Sequence, residues 1–181
     1  MMKVGKIGAT TFRKPKRMLY TREKYIRGHM DSQIVKFSMG KRSDEPVPEV
    51  SLRSNSKIQV RSTAIEAARI SLTKDLDQAL SPEGYYGRVC VQAHVITRKR
   101  RQVFGPQSDR FGQAKEYGSP SEKVVLLRPG QKIFQVYVSE THVGVAREAL
   151  LSAAKKLPST YTVTVENPLM IGETPAARGP S

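Results

Sequence analysis

One cysteine, three histidines and 16 acidic side chains are spread over 181 residues, and each scarcity closes off a kind of chemistry. Cys90 alone cannot form an internal disulfide, and with no CxxC pair or His/Cys cluster it cannot anchor a zinc site. A reducing cytoplasm suits such a chain. His29, His94 and His142 are isolated from one another, and neither HExxH nor HxE with PCxxC occurs. The phosphate-cradling patterns GxxxxGK[ST] and GxGxxG are also missing; Gly5-Lys6-Ile7-Gly8 comes nearest but has no strand before it, so nucleotide hydrolysis has no support. Asp75 and Asp77 would diverge by about 200° on a helix and cannot act as a paired acid and base. Long apolar runs are absent as well. Val124-Val125-Leu126-Leu127 has strand length, far short of the ~20 residues that span a bilayer. Lys3 and Lys6 lead into more basic residues, not into the apolar centre of a secretory signal. No cofactor, metal or membrane partner is expected.

What the chain has is positive charge: 31 Lys and Arg give a formal net charge of +15. Self-repulsion of that size opposes compaction unless a polyanion neutralises it, and nucleic acid is the natural counter-ion. The length suits one domain with extensions. Residues 1–28 hold nine basic side chains against the single acid Glu23, and show no sustained period of two or 3.6. They read as an extended arm, taken as residues 1–30, that gains order on its partner. Phe12, Tyr20 and Tyr25 are placed there to stack on bases or to pin the arm to the domain.

From residue 31 to 166 the pattern is that of a single α+β domain. Val35 to Met39 alternates as a half-buried strand ending at Gly40. Val50-Ser51-Leu52 and Ile58-Gln59-Val60, joined through Ser54-Asn55-Ser56, read as a hairpin. Thr63-Ala64-Ile65-Glu66 has the form of a capping box, with Ile65, Ala68, Leu72, Leu76 and Ala79 at helical spacing up to Pro82 and Gly84. Val89, Val91, Ala93 and Val95 line one face of a further strand, leaving Arg88, Cys90, Gln92 and His94 on the other. Residues 98–121 combine Arg98-Lys99-Arg100-Arg101 with Gly105-Pro106, Gly112 and Gly118-Ser119-Pro120, and predict a long basic loop. A second hairpin is expected from Val124–Leu127 through the Pro129-Gly130 turn to Phe134, Val136 and Val138. Ser139 is a candidate cap for a second amphipathic helix carrying Ala146, Ala149, Leu150, Ala153 and Leu157, and Tyr161, Val163 and Val165 form a last strand. Residues 167–181 read as a tail. Two helices against a mainly antiparallel sheet is the expected architecture.

The positive charge therefore lies in arm and loop. The first helix offers Arg69 and Lys74 but also Glu66, Asp75 and Asp77, which is not a face for reading the DNA major groove. Arginine's planar fork holds phosphates bidentately and stacks on bases, which suits folded RNA. Two other readings stay open: a free RNA chaperone or translation regulator using the same surface, and an RNA-modifying enzyme built on Cys90, His94 or Asp109. The enzyme would need a nucleophile and base within hydrogen-bond reach.

Ordered motifs then bring a family into view. These are Arg13-Lys14-Pro15 through Tyr20-Thr21-Arg22-Glu23-Lys24-Tyr25-Ile26, Lys36-Phe37-Ser38-Met39-Gly40, and Ile58-Gln59-Val60-Arg61 leading into Ala64-Ile65-Glu66-Ala67-Ala68-Arg69-Ile70. Asp109-Arg110 and Arg128-Pro129-Gly130-Gln131 with Ile133-Phe134 come next in order. Over most of residues 12–166 the sequence resembles the archaeal and eukaryotic large-subunit ribosomal proteins of the L-ten-e type, relatives of bacterial L-sixteen. The resemblance implies a hammerhead-like strand arrangement. It also implies a seat on large-subunit rRNA below the central protuberance beside the aminoacyl-tRNA, with the long loop pointing toward the peptidyl-transferase region. Carried over by motif, the rRNA-contacting residues are Arg13, Lys14, Arg17, Arg22 and Lys24 in the arm, and Arg98, Lys99, Arg100, Arg101 and Arg110 in the loop. Lys16 and Arg27 in the same arm and Lys115 in the same loop complete the expected set. Neighbouring ribosomal proteins are further expected partners. The chain departs from the family where a small-residue run usually precedes Asp-Arg: here it is Phe104-Gly105-Pro106-Gln107-Ser108.

Overall fold

The computed structural model describes residues 12–13, 26, 31–42, 47–99 and 119–166. In chain order the elements are β1 (Phe12–Arg13), β2 (Ser38–Gly40), β3 (Glu49–Ser54), β4 (Ile58–Arg61), α1 (Ser62–Leu80), β5 (Tyr85–Val89) and β6 (Val95–Lys99). The remaining elements are β7 (Ser119–Leu127), β8 (Lys132–Val138), a 3-10 turn (Glu140–His142), α2 (Val143–Ala154) and β9 (Tyr161–Glu166). The fold is α+β, with every described strand pairing antiparallel.

Two sheets, not one, receive the strands: a four-stranded sheet in the order β1-β4-β7-β6 and a five-stranded sheet in the order β2-β5-β8-β3-β9. Among the described residues the main core draws on both sheets and both helices, as with Val60 and Val125, Leu52 and Phe134, Leu72 and Leu150, and Val95 and Val124 form a smaller separate cluster. Each fully buried Leu or Phe in such a core stabilises the fold by roughly 1.5–3 kcal/mol. Helix α1 buries Ile65, Ala68, Leu72 and Leu76, and α2 buries Ala146, Ala149, Leu150 and Ala153, in keeping with the helical spacing of the sequence.

Both expected hairpins are corrected by the pairing. Strand β3 lies between β8 and β9, whereas β4 lies between β1 and β7. Likewise β7 joins β4 and β6 while β8 joins β3 and β5. The local turns do form. Gly130 takes φ +79 and the Gln131 N–H donates to the Arg128 carbonyl at 3.2 Å, as the Pro-Gly pair requires. The strand beyond each turn, however, crosses to the other sheet, because both flanking strands have apolar faces to bury and a shared two-layer core accepts one from each layer.

The expected strand through Val89–Val95 is divided in the same way. Val89, Val91, Ala93 and Val95 are all buried, as the alternation requires. Hydrogen bonding nevertheless changes sheets midway: the Cys90 N–H donates to the Ile133 carbonyl and the His94 N–H to the Val124 carbonyl. Strand β2 is shorter than the Val35–Met39 reading, and Val35 is 73% exposed. The capping box is not made, since Arg61 leads directly from β4 into α1 and no side chain caps the helix. Glu66 instead accepts from Arg69 at 2.6 and 2.9 Å and from the Val35 N–H at 3.4 Å. These bonds hold its carboxyl below the ordinary value, with the Arg69 hydrogen bond the largest cause. Nor does the Ser139 hydroxyl cap α2; it contacts Thr141 and His142 in the 3-10 turn.

Candidate nucleic-acid interface

The four-stranded sheet positions the described part of the expected RNA-binding set. Arg98 and Lys99 belong to β6, and Ser119 to Ser121 to β7, so strand pairing reaches into the stretch read as loop and forms its stem. A register shift between Thr97 and Arg98 turns the stem just where the basic run begins. Below the shift the stem is fixed internally. Thr97 is fully buried and its hydroxyl donates to the Glu122 carbonyl at 3.2 Å. The Arg61 guanidinium lies 3.2 Å from the Glu122 carboxylate, with both side chains about four-fifths buried. Arg98 is half-buried, so part of its length packs against the stem.

Arg13 enters the same sheet from its other edge, with β1 pairing Arg13 opposite Gln59 on β4. Gln59 is opposite Leu126 and Arg98 opposite Pro120, six residues apart along β7. With about 4.8 Å between strands and about 3.4 Å per residue, the Arg13 and Arg98 backbones stand on the order of 25 Å apart. One sheet thus holds Arg13 of the arm and the base of the loop at opposite corners, which suits contact with two separate stretches of a folded polyanion. The backbones of Arg13 and Lys99 are described but not their side chains, while Lys14, Lys16, Arg17, Arg22, Lys24, Arg27, Arg100, Arg101, Arg110 and Lys115 lie outside the described residues.

The outer face of the five-stranded sheet carries a polar network that the sequence pattern did not reveal. Lys132 donates to Glu49 at 2.5 Å and to Glu166 at 2.8 Å; Gln135 donates to Glu49 at 2.9 Å, Tyr137 to Glu49 at 3.3 Å, and Arg53 to Glu166. Burial opposes charge on Lys132, yet its hydrogen bonds to Glu166 and Glu49 raise its pKa, and the bond from Lys132 lowers that of Glu166. The alternation Glu49, Ser51, Arg53 was the available signal, but nothing local to it shows that Lys132 and Glu166 are its neighbours.

The enzyme's required convergence is absent from the described residues it invoked. The Cys90 thiol donates to the Gln135 side-chain oxygen at 2.8 Å, and burial pushes its pKa up, away from thiolate chemistry. His94 contacts the Gln92 carbonyl at 3.1 Å and pairs with the other sheet, while Asp109 lies outside the described residues. Asp77 accepts from Tyr85 at 2.6 Å, a structural tie between α1 and β5. Among the described residues there is no group of three His, Cys, Asp or Glu able to hold a metal, and no helix long and apolar enough to cross a membrane.

Comparison with known proteins finds relatives along most of the chain. The family described as "Ribosomal protein L16p/L10e" matches residues 15–164. A protein of Pyrobaculum calidifontis named "Large ribosomal subunit protein uL16" is 35% identical over 164 residues, covering 87% of this chain and 92% of its own length. Proteins of the same name from Archaeoglobus fulgidus and Methanosphaerula palustris are each 32% identical. They cover 85% and 81% of this chain, and 93% and 86% of their own lengths.

Proposed function

Since the chain belongs to the L16p/L10e family of large-subunit ribosomal proteins, we propose that it binds large-subunit rRNA near the central protuberance and lines the aminoacyl-tRNA site. It is a structural protein of the large ribosomal subunit, not an enzyme, and ribosomal RNA and other ribosomal proteins are its partners. Its place is the cytoplasmic ribosome. In the finer reading residues 1–30 are a basic arm, 31–166 the rRNA-binding domain with its loop at 98–121, and 167–181 a tail. The cations of arm and loop, Arg13, Lys14, Lys16, Arg17, Arg22, Lys24, Arg27, Arg98, Lys99, Arg100, Arg101, Arg110 and Lys115, neutralise phosphates and leave the chemistry to RNA.

One observation carries this: Arg13 of the arm and Arg98 at the base of the loop stand at opposite corners of a single internally tied sheet. Sedimentation of the native protein from lysate tests it, with a high-salt wash and a ribonuclease control. Retention with the large subunit through the wash, lost on ribonuclease treatment, is the expected result. A predominantly free pool at low salt would replace this reading with that of a free RNA chaperone.

A further inference from the structure

On β5 the residues Tyr85, Gly87 and Val89 are buried, which turns the alternate residues Tyr86 and Arg88 to the outer face of the five-stranded sheet. Tyr86 lies opposite Tyr137 on one side, the two rings stacked with centroids 5.9 Å apart and planes at 27°. Tyr137 is held in turn by its hydroxyl bond to Glu49. On the other side Tyr86 lies opposite Gly40, an exposed glycine on the edge strand β2. A side chain cannot be accommodated there: Gly40 has φ +70, and an added Cβ would stand 2.1 Å from the Tyr85 carbonyl oxygen. Two residues back along the chain is Gly84, also exposed. The Tyr86 ring is thus backed by a second ring on one side and has no side chain opposite it at position 40 on the other.

The charge around this ring differs from that on the rest of the face. Glu49, Lys132, Glu166 and Arg53 neutralise one another on the β8-β3-β9 side. Near the β2 edge, Arg88 and Arg42 are exposed, and Lys41, 71% exposed, has only a 3.9 Å approach to the similarly exposed Glu83. Among the described residues these cations gather at the β2 edge, where the exposed apolar side chains Val35 and Phe37 lie just before the strand.

We propose that Tyr86 is the stacking platform of a single-nucleotide site. An unpaired RNA base lies on its ring on the side where Gly40 carries no side chain, and the adjoining phosphate meets Arg88 and Lys41. Exposed aromatics on an antiparallel sheet recognise unpaired bases in this way. The inference rests on the reading of the chain as an rRNA-binding protein. It adds a base-contacting site on the sheet that holds neither Arg13 nor Arg98.

The test uses the full-length protein and two probes of equal length, an oligouridylate and its abasic counterpart, which has the same phosphates and no bases. Tyr86→Ala is expected to weaken oligouridylate binding roughly tenfold, within the range of base stacking on an aromatic, and to leave abasic binding unchanged. Tyr86→Phe retains the affinity. Tyr86→Leu, which keeps apolar bulk without an aromatic face, loses it, and this guards against a misfolded alanine variant. Photocrosslinking of a 4-thiouridine-substituted oligouridylate is expected to label the peptide containing Tyr86. Equal losses on both probes in Tyr86→Leu, or no loss on either, would overturn the site. Failure of the broader reading is a separate result, since sedimentation with the large subunit does not depend on Tyr86.

Discussion

Replacing Lys132 by Met probes the polar network of the five-stranded sheet more sharply than any other single change. Glu49 and Glu166 occupy directly opposed positions on β3 and β9, and the Lys132 ammonium is shared between them. Methionine keeps most of the aliphatic stem and removes the charge. Two charge-assisted hydrogen bonds are lost, each worth about 1.5–3 kcal/mol where well buried. Lys132 is 26% exposed, Glu49 14% and Glu166 35%, so the Glu166 bond counts at a surface value of under about 1 kcal/mol. Two carboxylates left facing one another across a strand pair add a few tenths to about 1 kcal/mol. The expected cost at pH 7 is therefore about 3 kcal/mol, a fall in melting temperature of roughly 6–12 °C for a domain of this size.

The dependence on pH identifies the cause. Glu166 has a lowered pKa, so its contribution is present above the ordinary carboxylate value of 4.5 and is lost as pH falls through the folded-state value. Lys132 has a raised pKa, so its contribution persists below 10.5 and disappears only as pH rises through its folded-state value. The gap between native protein and Lys132→Met should be full at neutral pH and should narrow in acid as Glu166 protonates. Urea denaturation at pH 7 and pH 3 measures both. A difference under about 0.5 kcal/mol at pH 7, or one unchanged at pH 3, would refute the network as a source of stability.

One further outcome rests on the geometry and another on the charge of the basic run. Gly40→Ala forces a left-handed backbone onto alanine and drives its Cβ against the Tyr85 carbonyl oxygen, whereas Gly130→Ala, at φ +79, meets no atom within 4 Å. Thermal melting should show a loss of about 1 kcal/mol at Gly130 and at least twice that at Gly40, and equal losses would contradict the close approach. Replacing Arg100 and Arg101 by Gln should reduce the slope of log affinity against log salt for rRNA fragments by about 1.4–1.8, with the fold unchanged by circular dichroism; an unaltered slope would remove both from the interface.

Periodicity made the elements legible because it reports which side of each segment is buried. The apolar faces of α1 and α2 and the alternation from Val89 to Val95 are all present in the structure. Pairing was not legible, because Ser54-Asn55-Ser56 and Arg128-Pro129-Gly130-Gln131 specify a reversal of the chain without specifying which sheet receives the next strand. These two turns in fact hold one another: the Gly130 N–H donates to the Ser54 carbonyl at 2.7 Å and the Ser54 N–H to the Gln131 carbonyl at 3.0 Å. A contact between residues so far apart in sequence leaves no local mark. The same holds for the network at Lys132 and for the Tyr86–Tyr137 pair, in which each residue looks like an ordinary strand position. For the candidate interface the sequence supplied the charge and its location in arm and loop. It did not supply the stem, because Arg98 and Ser119 lie in segments whose Gly, Pro and Arg content masks a strand pairing.

The crossing of the chain between sheets also orders the events of synthesis. Among the described pairings only β6 with β7 joins strands consecutive in sequence, across the segment 100–118. Every other strand must wait for a distant partner: β3 is complete by residue 54, yet its neighbours β8 and β9 begin at residues 132 and 161. A chain growing from its N-terminus therefore exposes the apolar faces of β3, β4 and α1 for most of its translation, with no closed sheet to cover them. The five-stranded sheet can close only after residue 166 has emerged. Strand β1 has its partner β4 once residue 61 has emerged, so the sheet that holds Arg13 can begin to assemble long before the five-stranded sheet is complete.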